Sequence, residues 1–240
     1  MTKPIYPDGC RSHFNVSHYA NIAMKAYCKA KKCYQIIKKA DFRELDIQEE
    51  YEEMYDSIYI TVIFSAMSIE AFLNDYIAAC IGDKAFLDTY NKLSTIGKFD
   101  CCARFILKSK IDKSKSYYSY LKSLFSLRDE LIHSKSKEMD LSGFDTSKEA
   151  AEAWLEMVSS GEIELEEPIY DEAKIKSDLM AARDSIKTLK AIAEYFDSYD
   201  SNIFAQGKLL GLAGVPYFYA KHQIEIFEEL HIKYAIEGKT

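Results

Sequence analysis

The sequence of 240 residues is poor in the two residue types that most often interrupt helices, with nine glycines and four prolines. Proteins built from many strands and tight turns need more of both, so this scarcity favours long helices. Hydrophobic residues make up 48% of the chain and charged residues 29%, which excludes intrinsic disorder and a fibrous repeat. No long alternation of polar and apolar residues competes with the helical periodicity. The sequence therefore predicts an all-α protein.

Long uncharged apolar runs are also absent. The least interrupted apolar stretch, residues 58–73, contains Glu70 and several hydroxyl-bearing side chains. It is shorter than the roughly 20 apolar residues that a membrane-spanning helix requires. The first fourteen residues lack the apolar core of a signal peptide. We therefore expect a cytoplasmic protein that does not enter a membrane.

Several motifs of site chemistry are missing from the chain. The six cysteines form no paired CxxC motifs, so they are predicted to be free thiols rather than zinc ligands or disulfides. There is no glycine-rich phosphate loop and no Gly-x-Ser-x-Gly motif. The Glu-x-x-His spacing used by the carboxylate-bridged metal sites of four-helix proteins occurs twice, at Glu130 with His133 and at Glu228 with His231, but such a short motif does not by itself predict a metal site. The sequence predicts neither a metal nor another cofactor.

Charge is distributed unevenly along a chain whose formal net charge is −7. Residues 101–137 contain nine Lys or Arg and three Asp or Glu, whereas residues 138–200 contain six and seventeen. A further segment, residues 9–40, contains seven basic residues and no acidic one. Such runs are often only solvated helix faces, but they also suit a local phosphate-binding surface on an acidic protein.

Helical periodicity and capping signals divide the chain into eight predicted helices within one all-α domain that spans residues 1–240. Asp46 with Glu49 and Thr146 with Glu149 have the spacing of capping boxes, and Gly82 is a stop signal. The predicted helices cover residues 17–39, 46–81, 84–91, 98–108, 116–134, 146–158, 171–199 and 216–234.

A charged side chain interrupts the apolar face of the helix predicted at residues 116–134. At 100° per residue, six apolar residues define the buried arc of this helix: Leu121, Leu124, Phe125, Leu127, Leu131 and Ile132. Arg128 lies close to the middle of that arc. A permanently charged guanidinium is costly at such a position unless it is paired or opens onto a polar cleft. Asp129 and His133 lie on the flank at i, i+4 spacing, where a carboxylate can orient an imidazole.

The long second helix has a matching anomaly. Glu70 falls inside its apolar arc, and Asn74 lies beside that arc one turn later. Two long helices thus each place one charge, of opposite sign, in an apolar stripe. We expect the two helices to meet so that Glu70 holds Arg128 in a bidentate hydrogen-bonded pair at the edge of a cleft.

Two segments resemble the HEPN superfamily (higher eukaryotes and prokaryotes nucleotide-binding domains). Segment 127–133, LRDELIH, is similar to its Arg-x4-His signature near the end of a long helix, and segment 65–74, SAMSIEAFLN, to its second-helix pattern with a Glu. The resemblance covers residues 17–137 and leaves 138–240 as an additional helical part of unknown role. It implies a multi-helix bundle of HEPN type with additional C-terminal helices. It also implies a homodimer with a composite active site and the activity of a metal-independent endoribonuclease in toxin–antitoxin or antiviral systems, with an antitoxin protein as a possible partner.

The chemistry of RNA cleavage suits these residues. RNA carries its own nucleophile, the 2′-hydroxyl, so the enzyme must move a proton and stabilise a dianionic phosphorane. Histidine is suited to the first task and arginine to the second. We therefore predict a catalytic set and an RNA-binding set. The catalytic set comprises His133 as general acid/base, Arg128 as phosphate clamp, Asp129 orienting His133 and Glu70 positioning Arg128; the RNA-binding set comprises Asn74, Lys122, Lys135 and Lys137.

Two other interpretations stay open at this point. In the first, Glu70 and Arg128 only fix the register of two helices, His133 caps a helix end, and the protein is a non-catalytic module that binds RNA or another protein. The second concerns the mode of RNA binding. Tyr117, Tyr118 and Tyr120 lie among lysines and could stack on single-stranded bases.

Overall fold

The computed structural model describes residues 14–39, 47–133 and 171–199, together with the single residues 147, 148, 152, 156, 157, 160 and 209. This part of the chain forms six helices packed as a bundle and contains no strand. The predicted all-α class is therefore confirmed. The helices are α1 (Phe14–Lys39), α2 (Gln48–Ile81), α3 (Asp83–Ala85), α4 (Thr95–Cys101), α5 (Ser116–Ile132) and α6 (Glu172–Tyr199).

Helix α2 is the centre of the bundle and contacts each of the other five helices. Its predicted apolar arc is buried: Val62, Ala66, Ile69 and Leu73 have no exposed surface. Each large apolar side chain buried in this way contributes about 1.5–3 kcal/mol to folding. Because α2 is covered from several sides, a charge on its apolar arc must find a partner on a neighbouring helix.

The composition of α2 also meets the length and hydropathy of a membrane-spanning helix. However, 56% of its most apolar 18-residue window is buried inside the bundle. The core helix of a globular protein has the same composition, since both environments exclude water. The apolar length of α2 is thus accounted for by its central place in the fold, and the cellular location stays a prediction.

Local capping explains where several helices begin and end. Gly82 ends α2 with a φ of +89°, a backbone conformation that side-chain-bearing residues rarely adopt. Ser94 caps α4 by accepting a hydrogen bond from the Gly97 N–H at 3.1 Å. Asp171 caps α6 by accepting hydrogen bonds from two backbone N–H groups. Helix α2 begins after Ile47 without a side-chain cap, and Asp46 of the predicted capping box lies outside the described residues.

The predicted bounds of the four long helices agree closely with the observed ones, whereas those of the short helices between α2 and α5 agree less well. The two short helices predicted at residues 84–91 and 98–108 are instead the brief helices α3 and α4, each followed directly by a π-helical turn, Phe86–Tyr90 and Cys102–Ile106. The helices predicted at 146–158 and 216–234 lie, apart from a few single residues, outside the described part of the chain.

An aromatic cluster fixes α4 against the long helices. Phe99 from α4 lies 5.1 Å from the ring of Tyr195 on α6, and Tyr195 lies 4.7 Å from the ring of Tyr117 on α5. Phe196 on α6 packs edge-on against Phe72 on α2 at 4.9 Å. Aromatic pairs in this range add about 0.5–1.5 kcal/mol each beyond their burial. This packing holds α4 in place and, with it, Lys98, the residue before Phe99.

The π-helical turn after α4 leads into an irregular loop. The Leu107 N–H donates to the Cys102 carbonyl at 2.9 Å, and the Ser109 N–H donates to the Ala103 carbonyl at 2.8 Å. Lys108, between these two donors, has a φ of +51°. The π-helical turn is therefore closed by a lysine in a left-handed conformation that usually belongs to glycine.

Candidate functional site

The structure brings Arg128 and Glu70 together, as the helical periodicities of α5 and α2 predicted. Arg128 Nη1 lies 3.9 Å from Glu70 Oε2, and the two side chains are 24% and 35% exposed. The contact is one long ion pair, so the prediction of a bidentate hydrogen-bonded pair is wrong. The carboxylate is at the edge of the core, and its other oxygen has a different partner.

That partner is Lys98 of α4, which sequence reasoning missed. Its side chain is 3% exposed, and Nζ lies 3.5 Å from Glu70 Oε1 and 5.9 Å from the centroid of the Phe86 ring. An ammonium group is costly to bury unless it is paired. Glu70 therefore bridges a buried lysine and a half-buried arginine, which explains why it does not turn both oxygens towards Arg128.

Asp129 is paired with Arg128 rather than with His133. Asp129 Oδ1 lies 2.8 Å from Arg128 Nε, but the Nε–H is not directed at it, so the contact is an ion pair without a well-aligned hydrogen bond. The guanidinium also lies 5.1 Å from the centroid of the Phe125 ring. The structure thus does not show the predicted orientation of His133 by Asp129, because the permanent charge next to the carboxylate attracts it instead.

His133 is exposed at the end of α5. Its backbone has left the helix, with φ −112° and ψ 35°, and its N–H donates to the Asp129 carbonyl at 2.9 Å. Ile132, predicted in the buried arc, is the last residue of α5 and is 50% exposed. On a regular helix, the side chains of Arg128 and His133 project about 140° apart. His133 lies just past the helix, and within the described part of the chain no hydrogen bond or ion pair joins its imidazole to Arg128 or Asp129.

The predicted RNA-binding residues are scattered. Asn74 is half-buried one turn after Glu70, and its Oδ1 has no hydrogen-bond partner within the described ranges. Lys122 is exposed on α5, but it precedes Arg128 by six residues and so projects about 120° away from it. Lys135 and Lys137 lie outside the described residues. Of this set, only Asn74 shares a face of its helix with a member of the charged cluster.

The cysteines show no sign of activation. The five that the structure describes are free thiols. Burial and the neighbouring Glu53 raise the pKa of Cys33 to about 11, and burial raises the pKa of Cys102 well above its ordinary value. A raised pKa keeps a thiol protonated at neutral pH and unreactive. Cys33 and Cys102 therefore act as small core residues.

Other features of the described residues lie apart from the charged cluster. A groove of about 440 Å³ between α2 and α6 is lined mainly by Tyr51, Tyr55, Tyr59 and the polar side chains beside them. None of the predicted site residues belongs to it. Within the described ranges, no three His, Cys, Asp or Glu side chains come together as a metal-binding group.

Comparison with known proteins gives no relative. No protein-family model matches the chain, and neither a curated protein nor a solved structure matches it significantly.

Proposed function

We propose that this protein is a metal-independent endoribonuclease of HEPN type, acting as a toxin or an antiviral effector in the cytoplasm. The observation that carries the proposal is the half-buried Arg128, held by Glu70 and Asp129 on a helix that ends at the exposed His133. An arginine fixed by carboxylates yet open to solvent is suited to bind a phosphate.

In this proposal Arg128 stabilises the phosphorane. Glu70 and Asp129 restrict the guanidinium from two sides, and its remaining N–H groups are available to non-bridging phosphate oxygens. Lys98 is a positioning residue, because it holds the carboxylate that holds Arg128. The positive charges of Lys98 and Arg128 are balanced by Glu70 and Asp129, so an incoming phosphate must replace part of an existing ion pair.

His133 moves the protons. The 2′-oxygen of RNA attacks the adjacent phosphorus and loses its proton to a base, the bond from phosphorus to the 5′-oxygen breaks, and that oxygen receives a proton. The products are a 2′,3′-cyclic phosphate and a free 5′-hydroxyl. An exposed imidazole at a helix end can reach a bound RNA from solvent.

We further propose that the active unit is a homodimer. Within the described part of one chain, the His133 imidazole forms no hydrogen bond or ion pair with Arg128 or Asp129, so in this proposal the second chain completes the site. A two-fold axis near the end of α5 would bring two copies of each residue to one cleft. An antitoxin protein that covers this cleft would be the natural inhibitor.

The proposal is tested by incubating RNA with purified protein in the presence of EDTA. We expect wild type to cleave, and Arg128→Ala and His133→Ala to lose at least 100-fold in rate, since a general acid/base alone typically contributes 10²–10⁴-fold. His18→Ala, which removes another exposed histidine, is the matched control and should retain full activity. Equal cleavage by all four proteins would reject the assignment.

A specific observation favours a second candidate function. The His133 imidazole has no hydrogen-bonded or ionic partner among the residues that the structure describes. A non-catalytic module of the same fold would need Arg128 to bind phosphate but would not need an oriented histidine. In that case wild type would bind RNA without cleaving it, and Arg128→Ala alone would weaken binding.

A further inference from the structure

The π-helical turn after α4 presents an aromatic side chain to solvent. Phe105 is 70% exposed, the highest value among the large hydrophobic side chains in the described ranges. Its neighbours Cys102 and Ala103 have no exposed surface. The turn is thus anchored firmly in the core while Phe105 points away from it, which forgoes roughly 2–3 kcal/mol of possible burial. Such an exposed phenyl ring on an anchored backbone suits contact with another molecule.

The surroundings of Phe105 are positively charged. Arg104, Lys108 and Lys110 are exposed, and none of them forms an ion pair with another residue in the described part of the chain. Two acids lie in residues 100–122, the half-buried Asp100 and the exposed Asp112. The Asp112 carboxylate accepts hydrogen bonds from the N–H and hydroxyl of Ser114, at 3.0 and 2.6 Å. Neither acid forms an ion pair with Arg104, Lys108 or Lys110 in the described part of the chain.

Of the three tyrosines considered for base stacking, Tyr117 and Tyr118 pack against other groups, and Tyr120 is half-buried. Tyr118 is 7% exposed, and the ring of Tyr117 packs against Tyr195 while its hydroxyl accepts a hydrogen bond from the Asp112 N–H. Only a free aromatic face can stack on a base. Among the aromatic side chains of this basic segment, Phe105 best meets that condition.

We propose that this surface, formed by Phe105 with Arg104, Lys108 and Lys110, binds single-stranded RNA. Phe105 stacks on an unpaired base and the three cations hold the flanking phosphates, a combination that recurs in single-strand binding. A protein-binding surface would not need three unpaired cations around its aromatic residue. The inference rests on the proposed function and names its substrate class as unpaired rather than double-stranded RNA.

The position of the surface fits that role. Phe105 lies seven residues after Lys98 on one continuous helical segment, about 10 Å along its axis at 1.5 Å per residue. Lys98 contacts Glu70, which contacts Arg128. The stacking surface therefore lies on the same helical segment as Lys98, whose partner Glu70 also contacts the proposed phosphate clamp.

The test measures the affinity of a fluorescent 12-residue oligouridine by anisotropy, in a His133→Ala background that prevents cleavage. We expect Phe105→Ala to lower affinity by about 5- to 150-fold, the typical value of one stacked base, and Phe105→Trp to retain it. Met180→Ala is the matched control, because Met180 is 62% exposed on α6 and outside the basic surface. Arg104→Ala should also reduce the slope of log affinity against log salt by about 0.7, the value for one phosphate of a single strand.

Three results would overturn the inference: no binding of oligouridine by the parent protein, unchanged binding by Phe105→Ala, or a loss in Phe105→Trp as large as that in Phe105→Ala. Unchanged RNA affinity is also the outcome if Phe105 docks a protein. Cleavage is scored separately with the native His133. If RNA binding depends on Phe105 but no cleavage occurs, the stacking surface is supported and the nuclease proposal is rejected. If RNA is cleaved but its binding does not depend on Phe105, the nuclease proposal is supported and the stacking surface is rejected.

Discussion

At the scale of single residues, Glu70 is the side chain on which the cluster depends. One carboxylate faces a lysine that is almost fully buried and an arginine that is mostly buried. Removing one partner of a buried ion pair is costly because the other charge stays in the core without compensation. Lys98 is therefore expected to be the more sensitive partner, since Arg128 also has Asp129 and access to solvent.

We predict that Glu70→Gln lowers the free energy of unfolding by about 1–2 kcal/mol. This loss is smaller than that for a fully buried ion pair, because the contacts of Glu70 are long and its side chain is 35% exposed. In a Lys98→Met background the same substitution should cost less, because no buried ammonium is left unpaired. Urea unfolding of the four proteins measures this coupling. Additive effects would show that Lys98 and Glu70 do not interact.

At the scale of elements, the loop after the π-helical turn contains a strained residue, Lys108, that also belongs to the proposed RNA surface. Lys108 adopts a φ of +51°, which costs a side-chain-bearing residue about 1–2 kcal/mol relative to glycine. In the proposed RNA surface, the same residue supplies one of the cations beside Phe105. A functional role would explain why a lysine, and not a glycine, closes the turn.

We predict that Lys108→Gly raises the free energy of unfolding by about 1 kcal/mol while lowering the affinity for single-stranded RNA. Lys110→Gly, whose φ is not positive, is the control and should lower affinity without any gain in stability. Thermal unfolding and anisotropy measure the two effects. If Lys108→Gly were destabilising, the left-handed conformation of Lys108 would be in doubt.

The elements also show what the sequence could predict. The long helices α2, α5 and α6 repeat their apolar pattern over several turns, so their bounds and the anomalous charges Glu70 and Arg128 were predictable. Lys98 lies on a seven-residue helix, too short for a periodicity to mark its inward direction. Phe105 follows a change from α- to π-helical winding, which alters the direction in which every later side chain points. His133 lies where the helix has already ended, so a helical wheel could not place it.

At the scale of the whole molecule, buried thiol and phenol groups make the free energy of unfolding depend on pH in the alkaline range. Burial raises the pKa of Cys33 to about 11, and burial also raises the pKa values of Cys102, Tyr55 and Tyr195. Each raised pKa favours the neutral form in the folded state. The stability that these groups contribute is therefore fully present at pH values below their pKa in the unfolded state. It is lost as the pH rises through their pKa in the folded state.

We predict that the free energy of unfolding falls between pH 9 and 11, the window set by the ordinary and raised pKa of Cys33. Cys33 should account for up to about 2 kcal/mol of this fall, and Cys33→Ala should make the pH profile flatter. Urea unfolding at a series of pH values checks this. Cys80→Ala is the control, since Cys80 is only half-buried. A profile that is equally steep in Cys33→Ala would mean that the thiol does not ionise on unfolding.

The whole molecule, as proposed, joins a charged cluster at α2, α4 and α5 to an aromatic basic surface on one rigid bundle. The most direct measurement of its central claim is the identity of the RNA ends released by the dimer in EDTA. The account predicts 2′,3′-cyclic phosphate and 5′-hydroxyl ends, no cleavage of an oligonucleotide whose 2′-hydroxyls are methylated, and cleavage at least 100-fold slower by His133→Ala. Cleavage of the methylated strand, or the same ends at the same rate from His133→Ala, would contradict it.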